Sequence, residues 1–133
     1  MNQDARDLWT RTVRSHKTAT KLVSEDPDAA ASRAYYAAFY AVSALFALQG
    51  KTFTKHRAVE AAVHRDLVKP GTWPEDLGEA FSWLVRLRRT GDYGGGIHVS
   101  PDEAQEAVDK ARRILQAVQD TSPEPFPQIE DEP

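Results

Sequence analysis

The chain contains no cysteine. That excludes disulfide bonds, Cys-ligated zinc, iron–sulfur clusters and thiol nucleophiles. Strand signals are almost as scarce. No segment alternates β-branched with polar residues, and alanine, leucine, arginine and glutamate dominate, a composition that favours helix. Long apolar runs are missing too. The most weakly polar stretch, residues 34–48, is too short to span a bilayer and is rich in alanine and tyrosine. The N-terminus, MNQDARDLWTRT, has no apolar signal region, so the expected location is the cytoplasm. No glycine pattern cradles a phosphate: GDYGGG follows a helical segment and precedes no buried strand. No histidine–carboxylate spacing matches a metal site, and Ser32 and Ser43 lack a paired base. No metal or other cofactor is expected.

What is present suits one soluble domain. The 133 residues are 41% hydrophobic and 28% charged, enough for a single core. The net charge of −3 conceals an uneven distribution. Glu124, Glu130, Asp131 and Glu132 lie in the last eleven residues, and residues 1–122 carry 17 basic and 16 acidic side chains. Within that near-neutral body, Lys55-His56-Arg57 and the group Arg86, Arg88 and Arg89 form local basic spots able to meet phosphate.

Periodicity and breakers predict an all-α, up-and-down bundle of four long helices plus one short helix. The first helix is expected over residues 3–24, where SEDPD ends it. The second begins at Pro27 or Asp28 and ends before Gly50. A short third helix covers residues 55–67 with Thr54 as N-cap, and the fourth covers 75–90. GDYGGGIHVS reads as a flexible loop. The fifth helix opens on a capping box, Ser100 with Glu103, and carries Pro101 at its first position. The domain is thus placed at 1–121. Residues 122–133 hold four of the eight prolines and are expected to be a disordered acidic tail.

Two helices carry polar groups on inward faces. In helix four, Leu77, Phe81, Leu84 and Arg88 follow steps of four, three and four, so Arg88 closes the apolar stripe while Arg86 and Arg89 point outward. Asp92 and Tyr93 follow as partners for it. In helix two, Ala30, Ala34, Ala37, Ala41, Leu45 and Leu48 make a small-residue face. Arg33, Tyr36 and Tyr40 form a polar-aromatic strip beside it, and Tyr35 turns about 100° away toward a neighbouring helix or subunit. The two strips predict a shared polar groove. Alternatively, Arg33 and Arg88 each pair with a local carboxylate and only fix helix register.

These segments resemble a known family. SRAYYAAFYAVSALFALQGKTFTKHRAV, WPEDLGEAFSWLVRLRRTGDYG and DEAQEAVDKARRIL, in that order and spacing, are similar to a HEPN domain (higher eukaryotes and prokaryotes nucleotide-binding). The resemblance implies a helical bundle, often a homodimer packed through helices two and four, and a nucleotidyltransferase partner in a toxin–antitoxin-type pair. Its active branch is a metal-independent RNase with an R-x(4–6)-H motif at the end of helix four. The arginine would stabilise charge on phosphate and the histidine would move protons. Here Arg88 takes the arginine position, but Tyr93 stands five residues on where histidine is expected. A tyrosine titrates near ~10 against ~6.5 for histidine and is a poor base at neutral pH. His56, from helix three, and His98, across the glycine loop, are the substitutes; His16 and His64 read as packing or surface residues.

Two functions follow. The first is a binding module that takes a nucleotide, single-stranded RNA or a nucleotidyltransferase partner, with Arg33, Tyr36, Tyr40, Arg88, Asp92 and Tyr93 lining the groove. The second is an RNase toxin of altered motif that draws on Arg88, Tyr93, His56 and His98. A dimeric scaffold with an internal ion-pair network is the third, blander reading.

Overall fold

A computed structural model describes residues 1–129. Its elements are α1 (Gln3–Leu22), α2 (Pro27–Leu48), α3 (His56–Ala62), α4 (Glu75–Tyr93) and α5 (Pro101–Thr121). Among the described residues there is no strand, as the composition predicts. None of these helices is long and apolar enough to cross a membrane.

The second helix is the centre of the bundle. Its Ala30, Ala34, Ala37, Ala41 and Leu45 are fully buried, and residues this small let α1, α4 and α5 come close to its backbone. Asp26 caps its start by accepting from the Ala29 amide, and Gly50, with φ of 74°, ends it in a conformation that glycine adopts without cost. Ser100 and Glu103 form the expected reciprocal cap at the start of α5.

Three boundaries differ from expectation. Thr54 is not a cap: Lys55 precedes α3, with no side-chain cap bond. Beyond Ala62 the chain widens into a π-helical segment, Val63–Val68, where His64 lies against Gly78 and its Nε2 is 2.9 Å from Ser82 Oγ. Helix α4 runs on to Tyr93, taking in three residues expected in the loop. An ion pair one turn apart, Arg88 to Asp92, supports that extra turn. Gly91 lets it press on α2, since a Cβ there would stand 2.7 Å from the Asp28 carbonyl oxygen.

The segment after Thr121 also departs from the expected disorder as far as it is described. Phe126 is buried and stacks on Trp9 with ring centroids 4.5 Å apart, and Trp9 Nε1 donates to the Pro127 carbonyl at 3.0 Å. These contacts, a second hydrogen bond to the Pro127 carbonyl from Gln119 Nε2 and an ion pair of Glu124 with the N-terminal ammonium hold a proline-rich segment that cannot form a helix of its own. Residues 130–133, part of the same expected tail, lie outside the described residues.

Candidate functional site

The stripe on α4 behaves as its spacing requires. Leu77, Phe81 and Leu84 are buried, and the Arg88 side chain, 17% exposed, continues their line to the surface. Arg86 and Arg89 are exposed. The Arg88 guanidinium meets α2 at two adjacent tyrosines. Its carbon lies 5.3 Å from each of the Tyr35 and Tyr36 ring centroids, and Nη2 donates to Tyr36 Oη at 3.2 Å. Both rings present electron-rich faces to the cation. On the other side Nε is 3.2 Å from Asp92 Oδ2, close enough to pair by charge but not aligned to hydrogen-bond, so the buried Nε–H has no acceptor.

The α2 strip supplies a second cation. Arg33 stacks over the Tyr36 ring at 4.7 Å, and Tyr36 in turn lies 5.7 Å from Tyr40. Arg11 of α1 reaches the Tyr40 ring at 5.8 Å. Tyr36 therefore carries a guanidinium on either helix side and sits at the middle of a half-buried aromatic strip.

Tyr35 completes the arrangement. It is fully buried, and its hydroxyl is 2.8 Å from His56 Nδ1, across from the first turn of α3. The His56 ring stacks on Phe39 at 4.4 Å. Burial pushes the Tyr35 phenol well above its ordinary range, so it stays protonated. Burial and then the Arg88 charge hold His56 below its usual value, so it is neutral near pH 7. A buried phenol must place its hydrogen, and His56 Nδ1 is the acceptor within reach. That fixes the neutral tautomer with hydrogen on Nε2, and the exposed edge of His56 becomes a donor.

The structure thus brings Arg33, Tyr36, Tyr40, Arg88, Asp92 and His56 together. The other two candidates for the histidine place stand differently. Tyr93 stands 74% exposed at the end of α4. His98 is held at the start of α2, where its Nδ1 is 2.7 Å from Asp28 Oδ2. The Val99 amide and then His98 lower the Asp28 carboxyl below its ordinary value. His16 is nearly buried with Nε2 3.3 Å from the Val108 carbonyl, and His64 faces Ser82. Tyr35 was not a sequence candidate. The available signal was its neighbour: a face 100° from the Tyr36 strip is the one that meets α3, where His56 stands. Among the described residues no three His, Asp or Glu side chains converge as metal ligands.

Comparisons with known proteins agree with this architecture. The HEPN domain pattern matches residues 5–121. A UPF0332 protein of Thermotoga maritima is 35% identical over 115 residues, 85% of this chain and 87% of that protein. A toxin candidate of Methanocaldococcus jannaschii is 30% identical over 69% of this chain and 63% of its own length. The crystal structure of TT1696 from Thermus thermophilus superposes with a TM-score of 0.77 at 27% identity, covering 91% of this chain and 99% of that one. The chain belongs to the HEPN domain family.

Proposed function

We propose that the groove between α2, α3 and α4 binds a phosphate-bearing ligand, a nucleotide or single-stranded RNA, and that the protein works as a homodimeric toxin–antitoxin-type component beside a nucleotidyltransferase partner. The observation that carries this is the Arg88 guanidinium, packed against Tyr35 and Tyr36 at the surface end of the α4 stripe. Three donors or cations converge on one strip: Arg88, Arg33 and the Nε2–H of His56. The Tyr36 and Tyr40 rings beside them give bases a surface to stack on. The similarity to a toxin candidate supports the biological setting.

The test is binding of labelled single-stranded RNA to wild type, Arg88→Ala, Arg86→Ala and Arg89→Ala. Arg88→Ala is expected to weaken binding about tenfold or more, while the outward arginines, worth little individually, change it about twofold. Equal losses in all three would indicate a diffuse basic patch and sink the groove.

A second reading, a metal-independent RNase, is favoured by the position of His56 next to Arg88. Attack by a 2′-hydroxyl needs a base, and with Tyr35 donating to Nδ1 the His56 ring offers a proton instead of accepting one. The binding reading therefore predicts no cleavage above background by wild type in chelator between pH 6 and 10. Robust cleavage abolished by both Arg88→Ala and His56→Ala would reverse the order of the two readings.

A further inference from the structure

The aromatic strip does not stop at His56. Phe39, on which His56 stacks, also forms one wall of a separate pocket of about 310 Å³ between the start of α1, the end of α2 and the loop that follows it. Asp4 and Asp7 of α1, Ser43 of α2 and Lys51 and Phe53 of the loop line the rest. The groove and the pocket are continuous through rings: Phe39 lies 6.3 Å from Tyr36, 5.7 Å from Tyr40 and 5.9 Å from Tyr35. Tyr36, half-buried at the surface, is in turn 5.3 Å from the Arg88 guanidinium. Two such steps from Arg88 to Phe39 are on the scale of one nucleotide.

The polar groups of the pocket are unequal. Its carboxylates accept and cannot donate. Asp7 uses one oxygen for the Gln3 amide at 2.8 Å, and the Lys51 ammonium sits 3.8 Å from Asp66 on the π-helical segment. A flat ring entering beside Phe39 and Phe53 would therefore meet carboxylate oxygens along its edge. Uracil shows a single N–H flanked by two carbonyls, so it offers one carboxylate oxygen a hydrogen bond and repels the other. Adenine, cytosine and guanine each show an exocyclic amine, and guanine sets an N–H beside its amine in a pair that matches the two oxygens of one carboxylate.

We propose that this pocket holds the nucleobase of a nucleotide whose phosphate lies at Arg88, and that Asp4 and Asp7 select a base bearing an exocyclic amine, guanine first. The proposal rests on the groove reading above. It adds what that reading leaves open, the identity of the base.

The experiment titrates full-length protein with ribose 5-phosphate, GMP and UMP by calorimetry, in wild type, in the double variant Asp4→Asn/Asp7→Asn and in Ser43→Phe. Both aspartates are exposed, so the double variant removes charge without disturbing the core. Wild type should bind GMP about fivefold or more tighter than UMP, and ribose 5-phosphate as weakly as UMP. The double variant should bring GMP to the level of UMP and leave ribose 5-phosphate unchanged. Ser43→Phe, which fills the pocket, should do the same. Equal affinity for GMP and UMP in wild type, or a preference that survives the double variant, overturns the pocket while ribose 5-phosphate binding leaves the groove standing. If none of the three binds, the groove reading fails first and the pocket with it.

Discussion

Arg88 stands close enough to His56 to bear on its charge, and that makes a direct prediction. In an NMR titration the His56 ring should titrate below the ordinary ~6.5, and Arg88→Met should move it upward, because the cation that disfavours imidazolium is gone. The sign for stability follows. The folded state holds its His56 proton less tightly than the unfolded chain, so His56 costs nothing above the unfolded value. It subtracts stability as pH falls through that value toward the folded one. Arg88→Met should shrink this acid-side loss. An unshifted His56 in wild type would show that the Tyr35–His56–Arg88 contacts do not persist in solution. Arg88 was legible in advance, because steps of four, three and four fix a helix face without any partner. Tyr35 was not. Two adjacent tyrosines point to different faces, and only the packing of α3 decides which one is buried against a histidine. The contact of His98 was not legible for a related reason: nothing local in a glycine-rich loop reveals that Asp28, seventy residues earlier, will hold it.

Helices behave as units with contact faces, and Gly91 tests one of them. Glycine to alanine inside a helix ordinarily gains about 1 kcal/mol. At Gly91 the new Cβ would meet the Asp28 carbonyl oxygen at 2.7 Å, and a main-chain oxygen in α2 cannot swing aside. Gly91→Ala should therefore lower stability by about 1–3 kcal/mol in a denaturant melt; a stabilised variant would mean that α4 does not press on α2 there. The closing segment gives a second test. Phe126→Ala removes a buried ring stacked on Trp9 and should cost about 3 kcal/mol. An unchanged melting temperature would restore the disorder that the proline content predicts. Helix number, order and the α5 cap were readable because each depends on residues within a turn or two. The extra turn of α4, the π-helical segment and the docking of Phe126 were not, since each is decided by a surface from a distant part of the chain.

At the scale of the whole molecule, α2 uses alanines against its neighbours and keeps a half-buried aromatic strip of Tyr36, Phe39 and Tyr40 toward the outside. A second copy packed through α2 and α4 would cover part of that surface. Light scattering at tens of micromolar should give twice the 14.8 kDa chain mass, and a monomer at that concentration would count against the dimer. The all-helical domain was legible at this scale from composition and periodicity, while the groove was legible only as two strips whose meeting required the fold. The most direct measurement of the central claim follows the arginine Nε–H and histidine ring signals by NMR while GMP is added. The account predicts that Arg88, Arg33 and His56 shift together and saturate at one dissociation constant, with Arg86 and Arg89 unmoved. Shifts of equal size at every exposed arginine, with no separate response at Arg88 and His56, would contradict it.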